Sequence, residues 1–186
     1  MASERLERAL DIKPFIEEIE APEVVEEVAD DPKSHYWVCP GCSENESIVL
    51  EALQDEGITD RTALAVLMGN IMQESKFQTK ICEGGKLTGY HGCHRGGFGL
   101  VQWTTQSRYS GLGRVAKQHN LDPNTIEAQL KWLFTEREWK LVERRFKSPG
   151  QSISYYMDAA FDWLRWGKEG ARAQYAHDYV NKLQLK

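Results

Sequence analysis

The 186-residue chain, 41% hydrophobic and 27% charged, is long enough for one well-buried domain and is ordinary in composition for a soluble protein. Its longest apolar run, Ala63 to Met68, is too short to span a bilayer, and "MASERLERALDIKPF" is charged throughout and lacks the apolar stretch of a signal peptide, so synthesis in the cytoplasm is expected. Met1 to Asp31 holds 11 acidic against 3 basic residues, so a net charge of −5 conceals −8 on this segment and +3 on the rest, too weak an excess for a nucleic-acid binder.

Residues 1–36 mix acids, prolines and isolated apolar residues, and are expected to be extended or to dock on a partner, ahead of a domain over 37–186. "CPGC" is a tight turn, after which Ser43 and Glu46 stand at the spacing of a capping box. Ile48, Val49, Ala52 and Leu53 form the stripe of a helix that Gly57 ends. A second helix runs from Thr59 or Asp60 to about Lys76, with Leu64, Leu67 and Ile71 on one face. Gly69 within it costs about 1 kcal/mol relative to alanine, which points to close packing there. Glycines from Gly84 to Gly99 imply a long loop or small hairpin. After Pro123 the spacing predicts one long helix with Leu130, Leu133, Phe134 and Leu141 inward, broken by "SPGQS". A further helix carries Met157, Ala160, Phe161 and Leu164, and a last one follows Gly170 with Ala173, Tyr175, Ala176 and Val180. The fold class read from this order is mainly α, with one irregular glycine-rich region.

Glu74 follows Leu67 and Ile71 by seven and three positions, at the edge of the buried face and near the C-terminal end of its helix. Burial and the helix dipole both disfavour its charge and would keep the carboxyl protonated to higher pH. Such an acid beside a groove suits glycosidic cleavage, in which the leaving sugar oxygen takes a proton. On the helix alone, the plainer reading is favoured: a polar residue where the helix surfaces. "GGFGLVQW" then offers a backbone free to approach a ligand, the Gln102 amide and the flat face of Trp103, with hydroxyls from Thr104 and Thr105. Its plainer reading is a hairpin whose aromatics are core.

Glu74-Ser75 followed by Phe77, then Gly99-Leu100-Val101-Gln102, resembles the Glu-Ser and Gly-Leu-Met-Gln pair of lysozyme-like lytic transglycosylases. The closer resemblance is to the phage tail lysozyme family, through "GNIMQES", "GFGLVQWTTQSR" with Leu112 beyond it, "IEAQLKWL" and "ARAQYAHDYV", over Ser47 to Val180. That resemblance implies a lysozyme-like helical domain in which Glu74 is the general acid on the β-1,4 glycan strands of peptidoglycan. Ser75 would orient it, Gln102 would contact the sugar near the scissile bond, and Trp103, Thr104 and Arg108 would line or brace the groove. It further implies a virion setting, in which the particle delivers the activity to the host wall and the acidic segment docks on a tail or baseplate protein. A lone-acid mechanism like that of transglycosylases fits better than a carboxylate pair, because Glu83 is the only acid between Glu74 and Gln102, and hydrolysis by a positioned water, as in a lysozyme, stays open beside it. No cofactor is expected for catalysis.

The cysteines admit three readings. Cys39 and Cys42 form a two-thiolate turn, and with Cys82 and Cys93 they could hold a structural zinc ion, the reading preferred here. A Cys82–Cys93 disulfide and four free thiols are the others. Two rival functions remain. One is a wall peptidase using Cys42 with His35, His91 or His94 as base. The other is a non-catalytic tail module whose groove holds glycan without cutting it.

Overall fold

In a computed structural model, residues 36–94 and 96–186 are described, all within the unit Pro32–Lys186. The expectations placed on residues 1–35 lie outside the described residues.

Helix α1 (Glu44–Asp55) begins with the reciprocal cap that its sequence signals: Ser43 Oγ accepts from the Glu46 N–H, and the Glu46 carboxylate accepts from the Ser43 N–H at 2.8 Å. Helix α2 (Arg61–Ser75) is capped by Asp60, whose carboxylate accepts from Ala63 N–H at 2.9 Å. Every residue from Ala63 to Ile71 is buried, so α2 is enclosed on all sides and is the central helix of the domain. Helix α7 (Arg172–Lys182) packs along it most extensively, and α6 (Ile153–Leu164) and α1 pack on other sides. Gly69 is where α7 comes closest: a Cβ there would stand 2.6 Å from the backbone nitrogen of Ala176.

The glycine-rich region is a small antiparallel hairpin, β2 (Ile81–Cys82) with β3 (Lys86–Leu87), in which Ile81 faces Leu87 and Cys82 faces Lys86. A 3₁₀ turn at Tyr90–Gly92 follows, and Phe98 bridges back to Cys82. Strand β1 (Trp37–Val38) pairs with β4 (Gln184–Leu185), joining the two ends of the described body. Helix α3 (Gln106–Gln118) is capped by Thr105.

The single long helix expected after Pro123 is two, α4 (Ile126–Leu133) and α5 (Arg137–Phe146). Between them Glu136 is extended, with φ −65° and ψ 149°. Its carboxylate enters the core, where it accepts from Trp103 Nε1 at 3.0 Å, Trp163 Nε1 at 2.9 Å and Arg108 Nε and Nη2 at 2.8 and 2.6 Å. Helix α5 restarts with a new phase, so Trp139, Val142 and Phe146 point inward while Leu141, expected inside, is 71% exposed. Phe161 also lies further out than expected and meets Trp166 edge to face.

Candidate active site

The last turn of α2 presents Glu74. Beyond Ser75, Lys76 and Phe77 both take left-handed backbone (φ 51° and 59°), which turns the chain sharply as Phe77 enters the core. The Glu74 side chain is left 14% exposed, facing the first turn of α7, where Arg172 Nη2 donates to its Oε1. Burial holds the carboxyl above its ordinary range, against the opposing charges of Arg172 and Arg108. The upward direction is the one expected from the sequence, and Arg172 is a partner that the sequence did not signal as one.

Ser75 is buried, and its hydroxyl donates to the Ile71 carbonyl one turn back at 3.3 Å, so it braces the helix end and does not meet Glu74. The side chain that meets the carboxylate is Arg172.

The Gly-Leu-Val-Gln segment is a tight turn. Gln102, in left-handed backbone, donates its N–H to Gly99 O at 3.1 Å, and Trp103 donates its own to Phe98 O at 3.0 Å. The Gln102 amide also serves this turn, donating to Gly99 O at 3.0 Å. Gln129, buried on α4, anchors it: its Oε1 accepts from Leu100 N–H at 2.9 Å, and its Nε2 donates to Thr79 O at 2.7 Å and Pro123 O at 3.0 Å. One amide thereby joins the turn to the chain just past α2.

Trp103 is fully buried with its N–H on Glu136, so it offers no ring face to a sugar, contrary to expectation. Arg108 is also buried and bound to Glu136 by two hydrogen bonds, and both residues hold the turn from below. Gln102 is half-buried and Thr104 exposed. Thr104 lines a polar pocket of about 230 Å³ with His94, Gly96, Gln106 and Tyr109. Among the expected groove residues, then, two reach the surface and three brace it.

Glu136, Gln129 and Arg172 escaped the sequence reading. Gln129 left a faint signal, being a polar residue inside the apolar stretch of "IEAQLKWL". Arg172 left another, a cation in the first turn of a helix, where the dipole disfavours it.

The cysteines pair as two disulfides, Cys39–Cys42 and Cys82–Cys93. The preferred zinc site is not formed, because a disulfide sulfur has no thiolate to give a metal, and among the described residues no group of three or more His, Cys, Asp or Glu is placed to hold one. The disulfide alternative for Cys82 and Cys93 is the one adopted. Cys42, bonded to Cys39, has no thiol to act as a nucleophile, which removes the peptidase reading. No helix among the described residues is long and apolar enough to cross a membrane.

A family model described as phage tail lysozyme matches residues 44–183, which takes in α1 through α7. No curated protein and no solved structure matches the chain.

Proposed function

The chain belongs to the phage tail lysozyme family, and from that premise we propose that it cuts the glycan strands of peptidoglycan at the β-1,4 bond between N-acetylmuramic acid and N-acetylglucosamine, with Glu74 as general acid. The observation that carries this reading is the Glu74 carboxyl itself: mostly enclosed, raised by burial, and open to solvent at one edge. A carboxylic acid that holds its proton to higher pH than an exposed one can pass it to the leaving sugar oxygen as the bond from the anomeric carbon breaks. The electron pair of that bond goes to the oxygen, and positive charge develops on the sugar ring. The conjugate carboxylate of Glu74 then takes a proton back. If the donor is the 6-hydroxyl of the same muramic acid, the product is a 1,6-anhydro sugar; if it is water, the product has a reducing end.

The Gly-Leu-Val-Gln turn and Thr104 supply polar groups for the sugar, and Trp103 and Arg108 support that turn through Glu136. We further infer a virion-associated location in a phage tail, with the acidic segment before residue 37 docking on a tail or baseplate protein. Co-purification with tail proteins, with and without Met1 to Asp31, tests that assignment, and equal recovery of both forms would overturn it.

Digestion of purified peptidoglycan by wild type and Glu74→Gln, read by mass spectrometry of the soluble fragments, tests the chemistry. Wild type is expected to release muropeptides and Glu74→Gln to release at least a hundredfold less, in line with the loss of a general acid. Anhydro ends would identify a transglycosylase and reducing ends a hydrolase. No release by folded wild type would leave a glycan-holding module as the function.

A further inference from the structure

Arg172 is buried, far from Glu74 in sequence, and held through both terminal nitrogens and one face of its guanidinium. Its Nη1 donates to the carbonyls of Lys168 at 2.9 Å and Glu169 at 2.7 Å. Its guanidinium lies 4.5 Å from the centre of the Trp166 ring. Its Nη2 donates to Glu74 Oε1. The segment that carries it is fastened to the same turn of α2 that carries Glu74. Ala171 donates its N–H to Gln73 Oε1 at 2.9 Å, and Gly170 lies so close to that carboxamide that a Cβ would come within 2.8 Å of it.

Stability alone does not account for this arrangement. It brings a cation to the first turn of a helix, removes two charges from water, and leaves the Arg172 Nε buried with no partner among the described residues. Its effect is on geometry. One carboxylate oxygen is occupied by a fixed donor, so the other, Oε2, is the atom left to carry a proton.

Resting on the glycosidase reading above, we propose that Arg172 is the positioning residue for the general acid: by holding Glu74 Oε1 it presents the proton on Oε2 to the glycosidic oxygen. When that proton has moved and the bond from the anomeric carbon has broken, the carboxylate left behind is stabilised by the same guanidinium, which needs no rearrangement to receive the charge. The charged groups acting on Glu74 are Arg172 on α7 and Arg108 on α3, and Arg108 is already engaged by the Glu136 carboxylate. Arg172 is therefore the cation whose removal Glu74 feels most.

The sign follows from the roles. The acid works while protonated, so activity falls as pH rises through the pKa of Glu74. Arg172 pulls that pKa down against burial, and removing its charge raises it further.

The test uses the full chain as wild type, Arg172→Met, Arg172→Lys and Glu74→Gln, with folding checked by circular dichroism. Turnover on purified peptidoglycan is measured across pH, and the Glu74 carboxyl is titrated by carbon-13 NMR. Arg172→Met is expected to lower kcat about a hundredfold with KM within twofold of wild type, and to move the alkaline limb and the NMR titration to higher pH. Arg172→Lys is expected to keep the titration near wild type, because the charge remains. Its kcat should still fall at least tenfold, because the fork geometry is lost. An unmoved titration in Arg172→Met, or a wild-type kcat in Arg172→Lys, overturns the proposal. If Arg172→Met does not fold, the kcat of Arg172→Lys decides alone. A Glu74→Gln variant as active as wild type overturns the glycosidase reading and this proposal with it. An inactive Glu74→Gln beside unaffected Arg172 variants overturns the positioning role alone.

Discussion

Two carboxylates, Glu74 partly buried and Glu136 fully so, shape the site, and their partners separate their roles. Glu74 meets one guanidinium at the edge of solvent, and burial keeps its carboxyl raised. Glu136 has no exposure and receives four hydrogen bonds, two from Arg108 and one each from Trp103 and Trp163. Glu136 is therefore a joint that ties α3, α6 and the turn before α3 to the break between α4 and α5. Glu136→Gln would leave the buried Arg108 charge with only the more distant Glu138 carboxylate, at 4.0 Å, as counter-ion, and breaking a buried pair in this way costs about 3–5 kcal/mol. Urea unfolding should show that loss as a lower midpoint at unchanged slope, accompanied by altered Trp fluorescence as one of the Trp103 and Trp163 N–H groups meets the new amide nitrogen in place of an acceptor oxygen. A variant within 1 kcal/mol of wild type would show that the joint carries little of the fold's stability.

At the scale of elements, the seating of α7 on α2 sets the geometry around Glu74, because α7 brings Arg172 to the end of α2. The close approach at Gly69 makes this seating tight. In an isolated helix, Gly69→Ala would gain about 1 kcal/mol. Here the new methyl would meet the Ala176 backbone at 2.6 Å, and a backbone atom has no rotamer with which to yield. The overpacking penalty of about 1–3 kcal/mol outweighs the helix gain, so a net loss of stability is expected in thermal unfolding. Because α7 would be pushed outward, turnover should fall as well. A more stable variant would mean that α7 sits further from α2 than described.

Over the whole molecule, the beginning and end of the described body are joined twice. Strand β1 pairs with β4, and the Glu46 carboxylate on α1 accepts from the Tyr179 hydroxyl on α7 as well as from Ser43. Burial by itself would raise the Glu46 carboxyl, but the hydrogen bonds from Tyr179 and Ser43 outweigh it and hold the carboxyl below its ordinary range. A depressed carboxylate binds fewer protons folded than unfolded in the acid range. Its contribution to stability is therefore full above the unfolded value and is lost as pH falls through the folded one. The stability difference between wild type and Glu46→Gln should shrink as pH falls from neutral through the carboxylate range. A difference independent of pH over that range would show that the Glu46 charge plays no part.

The sequence by itself determined what depends on neighbours along the chain. The capping box at Ser43, the apolar run that makes α2 a helix, the position of Glu74 in its last turn and the hairpin among the glycines all follow from spacing, propensity and turn chemistry. The ordered motifs from "GNIMQES" to "ARAQYAHDYV" carried the family as well. Tertiary structure alone decided what depends on partners remote in sequence. Trp103 reads as a sugar platform until Glu136, 33 positions on, is seen to take its N–H inside the core. Leu141 reads as core until that same carboxylate interrupts the helix and shifts its phase. The cysteines read as metal ligands until folding sets Cys82 beside Cys93. Arg172 stands 98 positions from Glu74, and no periodicity in either helix records that they meet. Local signals encode the bonds a segment makes with itself, whereas the environment that holds a proton on a carboxylate is assembled only when separate helices pack.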